Sequence, residues 1–120
     1  MRLALTLAAA LLAAMPAAAS AADGAALEAE LAALRDQDRR VATVGYRLAT
    51  AARELCAEPV WLSGMVVHDL GQYGGEHRVA AARLFGLGEA PAVLALAAGG
   101  PADRAGLRAD DWLLAADGMT

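Results

Sequence analysis

The sequence has no lysine and few aromatic residues, and these shortages limit what the chain can do. Its ten basic residues are all arginines, and fourteen acidic residues leave a formal net charge of −4. Nucleic-acid surfaces need clustered positive charge, so the composition argues against a nucleic-acid partner. Aromatic residues make up only 4% of the chain, and much of its hydrophobic content is alanine. We therefore expect a single small domain with a thin hydrophobic core.

Cysteine is almost absent too, since Cys56 is the only one. A single cysteine cannot form a disulfide within the chain, which is unusual for an exported protein. Two interpretations stay open. Cys56 is either a buried free thiol, or a residue whose partner lies in another chain or in further sequence.

The sequence also lacks the common catalytic motifs. It contains no His-Glu-x-x-His, no Gly-x-Ser-x-Gly and no phosphate-binding loop. His68 and Asp69 are adjacent, and neighbouring strand residues point to opposite faces, so they would not share a site. His77 only follows Glu76 at the start of a helix. Ser20 and Ser63 have no sequence context that would activate them as nucleophiles. We predict no catalytic residue, no metal ligand and no cofactor within this chain.

The N-terminal stretch MRLALTLAAALLAAMPAAASAA has one early arginine, an apolar run and a small-x-small site at residues 19–21. This pattern predicts a cleaved signal peptide over residues 1–22 and export to a bacterial periplasm. The run is too short and alanine-rich for a convincing membrane span, which needs about 20 residues. The alternative is an uncleaved anchor helix, which would then be the only contact with a membrane.

Residues 23–58 have a helical pattern. Large apolar residues recur three, four or seven positions apart, which predicts an amphipathic helix over residues 25–57. Gly45 leaves open whether this is one kinked helix or two. Pro59 is expected to end it. The helix could pack on its own domain or bind a partner. The apolar residues are Leu27, Leu31, Leu34, Val41, Val44, Leu48 and Leu55.

Residues 59–120 alternate strands, turns and short helices. We predict a strand within residues 60–70, a helix over residues 76–85 that ends at Gly86, and a strand over residues 92–97. A short helical turn and a last strand, over residues 112–117, follow. The Asp117-Gly118 pair is a hairpin signal.

The stretch GGPADRAGLRADDWLLAADG reads as scaffold. Gly99 and Gly100 permit a tight turn, and Pro101 suits the first position of a helical turn. The stretch resembles the core signature of bacterial PDZ domains, as in HtrA-type and processing proteases. It departs from that signature at Asp110, where the family prefers glycine, although aspartate tolerates left-handed backbone. The matching residues are Gly100, Pro101, Ala102, Ala105, Gly106, Leu107, Asp111 and Gly118.

Together, the helical pattern and the resemblance predict an α+β protein: an N-terminal amphipathic helix followed by a PDZ-like small β-barrel with short helices, incomplete at its C-terminal end. The resemblance also implies binding of peptide or protein C-termini, which add a strand and place their carboxylate on a loop of backbone amides. The segment at residues 85–88 lies too close to Gly99 to be that loop. We predict Ser63, Gly64, Met65 and Val66 instead, and an ordinary first strand with a glycine bulge is the alternative.

Residues 38–56 and 66–73 are similar to the leader region of exported proteins in which a PDZ segment precedes an HtpX-like zinc metallopeptidase domain. This looser resemblance implies zinc in a downstream domain and none here. The expected function is a peptide-binding module in the N-terminal part of a periplasmic peptidase. The alternative is a catalytically silent fragment or small structural protein with a degenerate PDZ remnant.

Overall fold

The computed structural model describes residues 2–58 and 61–118, with side chains from residue 21 onward. Helices and a small sheet alternate along the chain, giving an α+β architecture. Short 3-10 turns lie at Arg53–Leu55 and Leu70–Gln72. In chain order the main elements are α1 (Arg2–Ala51), β1 (Met65–His68), α2 (Gly75–Phe85), β2 (Ala92–Leu96) and α3 (Pro101–Arg104).

Helix α1 is one uninterrupted helix, and Gly45 does not break it. It ends at Ala51, earlier than predicted, and the predicted stop at Pro59 lies outside the described residues. The structure does not show α1 to be amphipathic. Leu31 is buried and Leu27 half-buried, whereas the other predicted stripe residues are exposed: Leu34, Val41, Val44, Leu48 and Leu55. The reason is that the main core covers α1 only around Leu27 and Leu31.

Strand β2 pairs antiparallel with β1, with Met65 opposite Leu96 and His68 opposite Ala92. The register shifts between Val66 and Val67 and not at Gly64, so the predicted glycine bulge is not where the irregularity lies. β1 is also shorter than the strand expected within residues 60–70.

Residues 110–113 run along the other side of β2. Val93 N donates to Asp111 O at 2.9 Å, and Asp110 N donates to Val93 O at 2.8 Å. Of the strand expected over residues 112–117, only two bridge residues remain: Trp112, which pairs with Ala92, and Ala116. In the described part of the chain the sheet has two strands, and the PDZ-like barrel stays a prediction.

Helix α2 confirms the helix predicted in this segment, and Gly86 follows it in left-handed backbone, as expected of a C-cap. Its inner face forms the main core with α1 and β2. Leu27, Leu70, Tyr73, Leu84 and Leu94 pack around the buried members, which are Leu31, Ala80, Ala81, Phe85, Leu87 and Ala92.

The turns of the signature stretch adopt the predicted backbone. Pro101 begins α3, and Asp110 is left-handed with φ 72°. The Asp111 carboxylate accepts a hydrogen bond from Arg108 N at 2.8 Å, so this residue shapes a turn. Asp117 and Gly118 both have positive φ, which a type I′ hairpin turn requires. The residues that would complete the hairpin, 119 and 120, lie outside the described residues.

Most of the predicted signal peptide lies outside the residues whose side chains are described. Among the residues whose side chains are described, 21–58 and 61–118, no helix combines the length and apolar character needed to cross a membrane.

Candidate functional site

The segment Ser63–Val66 leads into β1 and packs against the signature turn. The carbonyl of Ser63 accepts a hydrogen bond from Ala102 N at 2.9 Å. The carbonyl of Gly64 accepts one from Ala97 N at 2.7 Å. Both carbonyls are therefore occupied by backbone amides at the end of β2 and the start of α3, which fixes the position of the segment.

The amides of the same segment are much less occupied. Met65 N donates to the hydroxyl of Ser63 over a long 3.3 Å. Among residues 2–58 and 61–118, the amides of Ser63 and Gly64 donate to no other group. Backbone groups alternate between the two sides of a strand, and the Gly64 carbonyl points toward β2. The N–H of Met65 therefore points away from β2, toward the other edge of β1. The segment thus has two amides without an acceptor and one with a long hydrogen bond, next to a strand edge with which no other described strand pairs.

Gly64 is required by the close approach of the two segments. Its φ is +73°, and a Cβ atom there would lie 3.3 Å from Ala97 Cβ and 3.4 Å from Gly100 Cα. Gly100 is crowded in the same way, since its Cβ would lie 3.0 Å from Ala97 O. The two glycines let the backbone of the segment lie directly on the signature turn.

A cleft of about 310 Å³ opens beside this segment, with α1 as its opposite wall. The hydroxyl of Thr43 accepts a hydrogen bond from Ala98 N at 3.2 Å and donates to Arg39 O, which ties α1 to the turn after β2. The cleft is lined mainly by apolar and small residues: Ala42, Gly45, Tyr46, Ala49, Trp61, Leu62, Ser63, Gly64, Met65 and Val66.

Most residues of the predicted PDZ signature lie in α3 and the loop after it, whereas Gly118 lies in the later turn with Asp117. Not all of them are buried. Gly100 and Ala102 are buried, whereas Leu107 is only half-buried. Ala105 is exposed, so it takes no part in close packing of this turn. The turn is closed by Asp103, whose carboxylate accepts a hydrogen bond from Gly99 N at 2.8 Å.

A second cluster, which sequence reasoning missed, joins α1, β1 and α2. His68 is fully buried, and its Nδ1 lies 2.8 Å from the Tyr73 hydroxyl. The Arg35 guanidinium stacks 4.1 Å from the centre of the Phe85 ring and forms an ion pair with Asp110. Since Arg35 and Asp110 are 75 residues apart, no local pattern could have identified their contact.

The electrostatics of this cluster follow from burial. Burial lowers the pKa of the His68 imidazole below 6.5, and the Arg35 guanidinium lowers it further, against smaller opposite effects of Asp110 and Asp69. Burial raises the pKa of the Tyr73 phenol. The Asp69 carboxylate accepts from Gly71 N at 2.6 Å instead of pairing with His68, which agrees with the prediction that the two share no site.

Other candidates are resolved by their positions. Cys56 is exposed, so the buried-thiol interpretation is wrong. The rejected segment at residues 85–88 contains the end of α2 and the buried Leu87, and is part of the core. Over the ranges 2–58 and 61–118, no group of three or more His, Cys, Asp or Glu side chains is placed to hold a metal ion.

Comparison with known proteins finds a similarity to PDZ domains in the last part of the chain. The sequence model of the PDZ domain matches residues 93–120. The match begins within β2 and includes the whole signature turn. The segment Ser63–Val66 and helix α1 lie outside this match. Neither the curated proteins nor the solved structures contained a match to the chain.

Proposed function

We propose that this chain is a protein-interaction module that binds extended peptides through their C-termini, with the Ser63–Val66 segment receiving the carboxylate. PDZ domains generally bind C-termini by strand addition and backbone amide contacts. The observation that carries the proposal is the difference between the carbonyls and the amides of this segment. The carbonyls of Ser63 and Gly64 accept from Ala102 N and Ala97 N within the matched region. Among the described residues, the amides of Ser63 and Gly64 donate to no other group, and Met65 N makes one long hydrogen bond to the Ser63 hydroxyl.

This arrangement suits an anion and an extended chain at once. Successive backbone amides that converge on one point form a concave donor group, which binds carboxylates. The free edge of β1 continues from that point and offers alternate backbone groups to an added strand. The carboxylate would thus fix the end of the peptide, and the strand would set its direction.

The test is a binding titration of the chain with hydrophobic peptides, each made as the free acid and as the C-terminal amide. Peptides are first selected from a library with free carboxyl termini. We expect the amide to bind at least about tenfold more weakly, because a charge-assisted hydrogen-bond group is lost. Equal binding of acid and amide, or no binding of any peptide, would contradict the proposal.

Strand addition has its own control. Because only every second amide of an added strand points toward β1, N-methylation should weaken binding at one of two neighbouring peptide positions and not at the other. If both N-methylated peptides bind as the parent does, the peptide does not add a strand.

We also propose that the module is exported to the periplasm and acts beside a zinc peptidase domain. The support is the leader-like N-terminal stretch and the resemblance of residues 38–56 and 66–73 to exported HtpX-like proteins. Zinc would belong to the peptidase domain and not to the residues described here. Two measurements test this: the mass of the exported protein, for loss of residues 1–22, and the DNA beyond the codon for Thr120, for a frame encoding His-Glu-x-x-His.

A further inference from the structure

We infer that helix α1 pairs with α1 of a second copy of this chain as a short parallel coiled coil. The contact is an exposed apolar stripe on α1, formed by Leu34, Val41, Val44 and Leu48. The inference does not depend on peptide binding, because none of these four residues lines the cleft beside Ser63–Val66.

The stripe consists of large apolar side chains that the rest of the domain leaves in solvent. Their exposed fractions, in chain order, are 46%, 70%, 54% and 65%. At about 3.6 residues per turn, the four side chains follow one narrow band along the helix. A second helix can lie on this band without displacing the domain, because α1 contacts the domain through side chains elsewhere around the helix. These are Leu31, Arg35, Thr43 and Tyr46.

The spacing of the stripe indicates what covers it. Leu34, Val41 and Leu48 are seven residues apart, and Val44 comes three residues after Val41. These are the a and d positions of a heptad repeat, at which two helices interlock side chain by side chain. Such a stripe is complementary to a copy of itself, because each apolar side chain can pack against the same side chain of the other helix. A second α1 is therefore the occupant that matches both the chemistry and the spacing.

Charge and side-chain size favour the parallel orientation. In a parallel pair the stripe residues face their own copies, and Gln37, at the remaining d position, faces another Gln37, to which it can hydrogen-bond. Arg40 and Arg47 flank the stripe, and each would face an uncharged residue of the second copy. An antiparallel pair with Val41 opposite Val44 would instead bring Arg40 beside Arg47 of the second copy twice. It would also set both leucines of the stripe opposite smaller or polar residues.

Cys56 gives an independent readout of the orientation. Its thiol is exposed and follows the end of α1 at Ala51. In a parallel pair the two Cys56 thiols lie at the same end of the stripe, whereas in an antiparallel pair they lie at opposite ends. A short bismaleimide, to which each thiol adds across one carbon–carbon double bond, should therefore join the two copies of a parallel dimer.

The first test is sedimentation-velocity ultracentrifugation of the chain, with a reductant present, over a range of concentrations. We expect a monomer that becomes a dimer as the concentration rises. Val44→Glu should raise the dissociation constant at least about tenfold, because two buried valines per dimer are replaced by like charges. Thr50→Glu is the matched control, since it adds the same charge at an exposed position of α1 outside the stripe, and it should dimerise as the wild type does.

The second test mixes variants to determine the orientation. In a parallel pair position 44 faces position 44, so Val44→Glu and Val44→Arg should dimerise poorly alone and pair when mixed. In an antiparallel pair position 44 faces position 41, so Val44→Glu should pair more tightly with Val41→Arg. Tighter pairing of this second mixture, or a wild-type dimer that the bismaleimide does not join, overturns the parallel arrangement.

Folding of each variant is checked by circular dichroism. Because Val44 is exposed in the single chain, Val44→Glu should keep the wild-type spectrum at concentrations where the wild type is monomeric. If it loses helix, Val41→Glu takes its place, since Val41 is still more exposed and the same loss of dimer is expected. A wild type that is monomeric at every concentration overturns the inference. So does a folded glutamate variant that dimerises as the wild type does, and in both cases the proposed function stands.

Discussion

His68 and Tyr73 are joined by a hydrogen bond of 2.8 Å between Nδ1 and the phenol oxygen, inside the core. The opposite nitrogen of His68, Nε2, is buried and has no partner among the described residues. The protonated imidazole carries an N–H on both nitrogens, so its Nε2–H would have nothing to accept it, whereas the neutral tautomer with its proton on Nδ1 avoids this. The geometry and the electrostatics therefore agree that the folded chain favours the neutral imidazole of His68.

The first prediction concerns acid stability. The pKa of His68 is lower in the folded chain than the ordinary value of 6.5, because of burial and then Arg35, and Asp110 and Asp69 only partly oppose them. The unfolded chain therefore takes up the proton first. The free energy of unfolding should fall as pH drops below 6.5, and the loss should end below the folded pKa.

Urea unfolding at several pH values between 7.5 and 4.5 measures this loss. His68→Phe keeps an aromatic ring and removes the titration, so its stability should depend less on pH. His77→Gln is the control, because His77 is exposed and its nearest carboxylate oxygen, on Glu30, is 3.9 Å away. If His68→Phe and the wild type lose stability in parallel, His68 does not control the transition.

The second prediction concerns the contact between α1 and the loop after α3. Arg35 is partly buried, pairs with Asp110 and stacks on Phe85. Arg35→Ala should lower the free energy of unfolding by about 1–2 kcal/mol, the sum of a partly exposed ion pair and a cation–π contact. Arg35→Lys should recover part of this, since lysine keeps the charge but not the planar stacking group.

Variants of Asp110 separate the effect of its charge on stability from the effect of its backbone conformation. Its φ of 72° suits glycine, aspartate and asparagine. Asp110→Asn keeps this tolerance and removes the charge, so it should lose about as much as the ion pair contributes, up to about 1 kcal/mol. Asp110→Gly should be less harmful than Asp110→Ala, which strains the backbone. If these two variants have the same free energy of unfolding, the left-handed backbone at position 110 does not strain the alanine variant.

The third prediction concerns Cys56, which is exposed. A thiol-specific reagent should modify one cysteine per native chain at a rate close to that measured in denaturant, because no unfolding step is needed. Slow modification of the native chain, with normal modification after unfolding, would show that Cys56 is protected.

Features set by local sequence were predictable. Helix α2 with Gly86 after it, strand β2 and the left-handed Asp110 each depend on a few neighbouring residues, and each was found. Contacts between distant residues were not predictable. The periodic leucines of α1 could not show that most of its length is left uncovered, and no pattern linked Tyr46 to Gly64 or Arg35 to Asp110.

The last prediction separates backbone strain from crowding in the proposed peptide site. Gly64 and Gly99 have nearly the same left-handed φ, +73° and +71°. A Cβ atom at Gly99 meets nothing within 4 Å, whereas one at Gly64 meets Ala97 Cβ at 3.3 Å. Gly99→Ala should therefore lower the free energy of unfolding by about 1–2 kcal/mol through backbone strain alone.

Gly64→Ala should lose about 1 kcal/mol more, because Ala97 or the segment itself must move. That movement would also disturb the hydrogen bond from Ala97 N to Gly64 O, which positions the open amides. Gly64→Ala should thus weaken peptide binding at a temperature where both variants are folded, while Gly99→Ala should bind as the wild type does. Urea unfolding measures the stability of each variant, and the peptide titration measures its affinity. If Gly64→Ala and Gly99→Ala have the same stability and the same affinity, close packing at Gly64 affects neither stability nor peptide binding.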